Sequence, residues 1–149
     1  MQRINVHTYM MVVAKAVALR STCPRRAVGA VAVRNDEIVA TGYNGSPHHC
    51  CHCIDISCLM NTEINPRCVR TVHAELNALL KANGYVDTLY TTDQPCFTCY
   101  KVALQRGVTT IFYERPYPDK ERDAFIHQQN PLCKMVQMNL SNVILEITE

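Results

Sequence analysis

Two short segments, His73-Ala74-Glu75 and Pro95-Cys96-Phe97-Thr98-Cys99, constrain this chain more than any other feature. One imidazole and two thiolates make three zinc ligands, and Glu75 is a carboxylate that need not be a fourth. A structural zinc usually takes four protein ligands and closes, whereas a hydrolytic zinc takes three and leaves a position for water. The spacing carries the next step. Cys96 and Cys99 lie three apart, so at the start of a helix both sulfurs project from its first turn toward one point. Unpaired amides there favour thiolate, the form zinc needs. Glu75 follows His73 at the start of an apolar-periodic segment (Leu76, Ala78, Leu79, Leu80), within reach of a metal-bound water. The alternatives are a chance CxxC, a thioredoxin-like redox pair and half of a zinc ribbon. A redox pair does not require an upstream His-x-Glu, and a ribbon requires a second CxxC in its place.

The 149 residues, 48% of them hydrophobic, suit one domain, 1–149, with a single core. No apolar run approaches the roughly 20 residues of a membrane span. Met1-Gln2-Arg3-Ile4-Asn5 lacks the basic-then-apolar order of a signal peptide, so no membrane partner and a cytoplasmic location are expected. The nine cysteines are odd in number, and a reducing compartment fits them better than a disulfide framework does. Fifteen basic against 13 acidic residues, with no basic run longer than Arg25-Arg26, make nucleic acid a poor partner. The absence of Trp and the three Phe weaken a stacking platform for single strands. Small anionic substrates remain open.

Val6, Met10, Val13 and Val17 stand at helical spacing, predicting a first helix over about Val6–Leu19. Ala27–Val33 reads as a buried strand, Asn35-Asp36 as a turn and Glu37–Gly42 as the return strand of a hairpin. Residues 43–70 are irregular and cysteine-rich, too polar to be core unaided. A helix over Thr71–Ala82, a strand over Thr88–Thr92, a helix over Cys96–Arg106 and a strand over Thr109–Tyr113 follow. That β-α-β order predicts a parallel pair. A helix near Lys120–Gln129 and strands near Lys134–Met138 and Val143–Ile147 complete one α/β domain with helices on both faces of the sheet. The metal residues fall at strand-to-helix junctions, where open α/β sheets place their sites.

The order His-x-Glu then Pro-Cys-x-x-Cys is that of the zinc nucleobase deaminases. The chain as a whole resembles the deoxycytidylate deaminase branch of the cytidine deaminase superfamily. The match is carried by Arg20-Ser21-Thr22-Cys23-Pro24-Arg25-Arg26, Gly42-Tyr43-Asn44-Gly45-Ser46-Pro47, the stretch from Cys68 to Glu75, Leu89-Tyr90-Thr91-Thr92, Pro95-Cys96-x-x-Cys99 and Tyr117-Pro118-Asp119. The resemblance implies a three-layer sandwich around a mixed sheet. It also implies a catalytic zinc on His73, Cys96 and Cys99, and Glu75 as the proton carrier in hydrolysis of dCMP to dUMP, which feeds dTMP synthesis. Asn44 matches a residue that contacts the pyrimidine in related enzymes, although on residues alone Tyr43-Asn44-Gly45 favours a turn. Arg26, Ser21 and Thr22 are candidates for the 5′-phosphate, with solvated surface as the alternative. Tyr117 matches a tyrosine that closes over the substrate.

The resemblance further implies a structural zinc on Cys23, Cys53, Cys58 and Cys68. The run His48-His49-Cys50-Cys51-His52 departs from relatives, so His49, His52, Cys50 or Cys51 could replace one of those four. Similar enzymes are homo-hexamers, activated by dCTP with Mg2+ and inhibited by dTTP through a region that includes Gly42, Tyr43 and Gly45. The rival readings are a deaminase of cytidine, cytosine, guanine or another small substrate, and a zinc-stapled binding module without catalysis.

Overall fold

The computed structural model describes residues 3–141. Its first helix, α1 (Val6–Ala18), begins where Asn5 accepts a hydrogen bond from the Thr8 N–H, the usual way an Asn satisfies an orphan amide. Strands β1 (Gly29–Arg34) and β2 (Glu37–Tyr43) form the predicted antiparallel hairpin. Its turn residues, Asn35 and Asp36, take φ of 50° and 64°, the left-handed pair that a two-residue hairpin turn needs.

A short turn of helix, α2 (Cys53–Ile56), interrupts the long irregular segment before α3 (Ala74–Lys81). Strand β3 (Thr88–Asp93), helix α4 (Phe97–Gln105) and strand β4 (Thr110–Arg115) make the expected parallel unit. Helix α5 (Lys120–Gln129) and strand β5 (Lys134–Gln137) follow, β5 lying parallel to β4. The sheet order is β2-β1-β3-β4-β5, mixed because β1 runs antiparallel to both of its neighbours. The strand expected over Val143–Ile147 lies outside the described residues. No helix among the described residues is long and apolar enough to cross a membrane.

Two apolar layers sandwich the sheet. On one face Met10, Met11 and Ala14 of α1 pack with Val31, Val33 and Tyr90. On the other Ala74, Ala78 and Leu79 of α3 and Tyr100 and Ala103 of α4 pack with Ala30, Ala32, Leu89 and Ile111. The strand side chains thus alternate between faces and bury both, as a sheet covered on two sides requires.

Close approach of α3 to the sheet depends on Gly42. A Cβ there would collide with the backbone of Ala74, Asn77 and Ala78. Gly42→Ala is expected to cost at least about 2 kcal/mol, because backbone cannot yield as a flexible side chain can. Urea unfolding of the variant checks this, and an unchanged midpoint would show that α3 is not so tightly held.

The sequence places two helix starts too early. Val72 pairs with Gly45 in an isolated bridge and His73 is extended, so α3 begins at Ala74 instead of Thr71. Cys96 is likewise extended, and α4 begins at Phe97. In both cases the residue just outside the helix is one of the expected metal ligands.

Candidate active site

His73 and Cys96 are the N-cap residues of α3 and α4, and neither uses its side chain to cap. Both side chains turn toward each other instead. His73 Nδ1 lies 3.4 Å from Cys96 Sγ and 3.4 Å from Cys99 Sγ. Donor atoms on a tetrahedral zinc with ordinary bond lengths are about 3.5 Å apart, so the trio fits that ion. Cys99 is fully buried and Cys96 nearly so. Without metal the three groups strain one another electrostatically. The Cys99 contact, opposed by burial and helped by His73, holds the Cys96 thiol down to about 4. The same contact and burial push Cys99 upward. Cys96 also holds His73 above its ordinary value, against burial. Of the two sulfurs, Cys96 is thus the one held toward the thiolate form.

Glu75 is 4% exposed in the first turn of α3. It is not among the three clustered ligand atoms, as an uncoordinated carboxylate should not be. Burial raises its carboxyl to about 7, opposed by His73 and reinforced by Cys96 and Asp93. A group that gains and loses a proton near neutrality suits general acid–base work.

Asn44 is buried, and its amide is largely spoken for. Its Oδ1 accepts from Ser21 Oγ (2.6 Å) and from the Val28 N–H (2.9 Å), while Nδ2 donates to the Arg26 carbonyl (2.7 Å). Those bonds gather Ser21, Asn44 and Arg26 into one patch. The Thr22 N–H joins it by donating to the Asn44 carbonyl, and the Thr22 hydroxyl is buried without a partner. Gly45 is bridged to Val72, which brings this loop beside His73. Tyr43 and Gly42 are the last residues of β2, with the Tyr43 carbonyl held by Asn77 Nδ2 at 2.8 Å. Tyr117 is half-buried, and its N–H donates to Gln94 Oε1 at 3.1 Å.

The sequence reading missed Asp93 and Arg115. Asp93 ends β3, 5% exposed, and pairs through Oδ2 with Arg26 Nε and through Oδ1 with Arg115 Nη2, the latter at 2.6 Å. The only linear signal was the acidic Asp93 at the end of a predicted strand, and Arg115 meets it because β3 and β4 pair in register.

The cysteines of the irregular segment gather in part. Cys53, Cys58 and Cys68 bring their sulfurs within 4.8 Å of one another, with Cys53 Sγ and Cys68 Sγ 3.7 Å apart. Two thiolates on one tetrahedral zinc stand about 3.8 Å apart, so these three fit a second ion. Cys23, expected as the fourth, lies outside the group, its N–H bonded to Ser21 Oγ at 3.2 Å. The Thr22 carbonyl nonetheless accepts the Ile54 N–H, so Cys23 follows directly on the strand of backbone that touches α2. His52 Nδ1 is buried without a partner beside Cys53, while Cys50 and Cys51 are exposed.

Three clustered donor atoms that could hold a metal ion, and a buried carboxylate on the same helix start, make this a candidate hydrolytic metal site on an α/β sheet. Comparison with known proteins is specific about its kind. A family model described as the cytidine and deoxycytidylate deaminase zinc-binding region matches residues 4–115, and the chain belongs to that family. It is 43% identical to ComE operon protein 2 of Bacillus subtilis (strain 168), over 99% of this chain and 78% of that protein. It is 37% identical to the deoxycytidylate deaminase of Saccharomyces cerevisiae, over 78% of this chain and 40% of the yeast protein. Among solved structures, the dCMP deaminase from the cyanophage S-TIM5 in complex with dCMP and dUMP superposes with a TM-score of 0.72 at 28% identity, covering 93% of this chain and all of that one. The mixed sheet, five-stranded among the described residues and set between helices, is thus the cytidine deaminase-like fold.

Proposed function

We propose that this protein hydrolyses dCMP to dUMP and ammonia. The observation that carries the reading is Glu75, buried in the first turn of α3 two residues after His73, ionisable near neutral pH and outside the His73–Cys96–Cys99 trio. Zinc, when held by those three residues, supplies a water acidic enough to attack at neutral pH. Glu75 would take one proton from the attacking water and deliver it to pyrimidine N3 as the oxygen adds at C4. It would then take the remaining proton of the new C4 hydroxyl and pass it to the C4 amino group, which leaves as ammonia as the C4 carbonyl forms.

Asn44 orients the base. Its Oδ1 already accepts two hydrogen bonds, so only the second Nδ2 hydrogen is free, and its contact with substrate is a donation to an acceptor atom. Arg26 and Arg115 share the single carboxylate of Asp93, which leaves one net positive charge at the ends of β3 and β4. That surplus supports a monophosphate over a free base or nucleoside, with Ser21 and Thr22 on the same loop and Tyr117 closing the site.

The test is ammonia release from dCMP, deoxycytidine, dCTP and cytosine in parallel, repeated with dCTP and Mg2+ or dTTP added to examine effector control. dCMP is expected to be the preferred substrate. Arg26→Gln should raise KM for dCMP about 10- to 100-fold, the worth of a charged hydrogen bond, and leave deoxycytidine little changed. Equal effects on both substrates would remove Arg26 from phosphate recognition, and turnover of unphosphorylated substrates alone would overturn dCMP.

A further inference from the structure

Arg122 is the largest fully buried side chain among the described residues, at 2% exposure. Its one carboxylate partner is the neighbouring Asp123, whose side chain is 61% exposed and 2.8 Å from Nη2. Burying a cation is costly unless it is paired and hydrogen-bonded, so the placement needs a reason. Nη1 gives it, donating to two backbone carbonyls at once, Pro95 at 2.8 Å and Tyr117 at 3.0 Å. Pro95 immediately precedes the ligand Cys96.

Asp119 acts on the same loop. Its Oδ2 accepts the Phe97 N–H at 2.8 Å and its Oδ1 the Arg122 N–H at 2.9 Å, so one carboxylate caps both α4 and α5. Helix α4 needs a cap from outside, because its own N-cap residue is Cys96, whose sulfur faces His73. Burial pushes the Asp119 carboxyl up, but the N–H groups of Arg122 and Phe97 and the Arg122 charge outweigh it and keep the group ionised. Gln94 completes the join. Its N–H donates to the Arg115 carbonyl at 2.8 Å and its Oε1 accepts the Tyr117 N–H at 3.1 Å.

We propose that Asp119 and Arg122 are positioning residues of the metal centre: they hold the Pro95–Phe97 loop so that Cys96 and Cys99 stand in a zinc-ready arrangement, and they lock the Tyr117 segment to that loop. The inference rests on the trio being the metal centre and not on the identity of the substrate. A group that orients a ligand from behind commonly governs metal affinity by 10- to 100-fold.

Asp119→Asn keeps the shape but offers one acceptor oxygen to two N–H groups. Arg122→Lys keeps the charge but cannot span two carbonyls. Asp123→Asn, which alters the partner of Arg122 Nε and Nη2 but leaves the Nη1 bonds to the Pro95 and Tyr117 carbonyls in place, is the control. Each full-length protein is titrated with zinc against a chromophoric chelator, and its Co2+ form is recorded by absorption spectroscopy. Cys99→Ser supplies the signal of metal bound elsewhere, to be subtracted. Asp119→Asn and Arg122→Lys are expected to weaken zinc binding about 10- to 100-fold and to change the intensity of the thiolate-to-cobalt and ligand-field bands. Asp123→Asn should stay within about twofold of wild type. Wild-type affinity and spectrum in Asp119→Asn would overturn the proposal even if its melting temperature fell, and that variant decides alone should Arg122→Lys not fold. A wild-type spectrum identical to that of Cys99→Ser would instead refute the metal centre itself.

Discussion

Glu75→Gln is expected to lower ammonia release from dCMP by on the order of 10⁴-fold, the upper part of the range for one general acid–base group, while the protein keeps its zinc. Gln preserves the shape of the side chain and a hydrogen bond, but it cannot take a proton from water or pass one to N3. Metal content should not fall, because the carboxylate is not among the clustered ligand atoms. Nor should the fold weaken. Burial raises the Glu75 carboxyl to about 7 in the folded chain, against an ordinary value of 4.5. An acid whose folded value is raised penalises the native state as pH climbs from the unfolded value through the folded one. The metal-free variant should therefore be as stable as wild type near pH 4 and equal or more stable at pH 7. The measurements are kcat, zinc per chain and thermal melts at those two pH values. Near-normal turnover with normal zinc would end the case for a proton-carrying Glu75.

What the sequence made legible follows from how local each signal is. The hairpin turn at Asn35-Asp36, the β3-α4-β4 unit and the metal trio are each set by residues close in the chain, or by a motif whose chemistry admits few partners. The limits of α5, Lys120–Gln129, were readable although the helix has little apolar stripe, because Asp119 is an N-cap residue followed by good helix formers. The starts of α3 and α4 were misplaced because periodicity counts His73 and Cys96 as helical, whereas their sulfur and ring nitrogen reach each other only from extended backbone. Contacts that depend on register were out of reach. Nothing in the linear sequence says that Asp93 meets Arg115, that Arg122 is buried against the Pro95 carbonyl, or that Asn44 spends its oxygen on Ser21 and Val28. The same holds for the second cysteine group, where spacing alone does not separate Cys23 from its three neighbours.

Removing that group should produce the largest loss of stability. Residues 44–73 contain one short helical turn and two isolated bridges, and they leave Ile54, Ile56, Leu59, Ile64 and Val69 exposed, so they have little core of their own. A small hairpin, with the Val69 N–H on the Leu59 carbonyl at 2.8 Å and the Asn61 N–H on the Arg67 carbonyl at 3.0 Å, sets Cys58 against Cys68, and α2 presents Cys53 to both. Packing alone gives no reason to bring three sulfurs together. Burial and the other sulfurs push the Cys58 thiol up to about 11, whereas at Cys68 the backbone N–H groups of Arg70, Leu59 and Thr71 overcome burial and hold it to about 7. A zinc would neutralise such a cluster and close the segment, as structural zinc sites do. The purified chain is therefore expected to carry two zinc ions, and Cys68→Ser one. The variant should lose about 4 kcal/mol or more of stability, the scale reached when a structural metal is lost, and become sensitive to protease between residues 44 and 73. Because Gly45 is bridged to Val72 beside His73, activity should fall with it. Cys23→Ser and His52→Ala made in parallel identify the fourth ligand as whichever change also removes one zinc. A wild-type stoichiometry of one, with Cys68→Ser as stable as wild type, would mean that the three sulfurs hold no ion and that the segment is kept in place by its few hydrogen bonds alone.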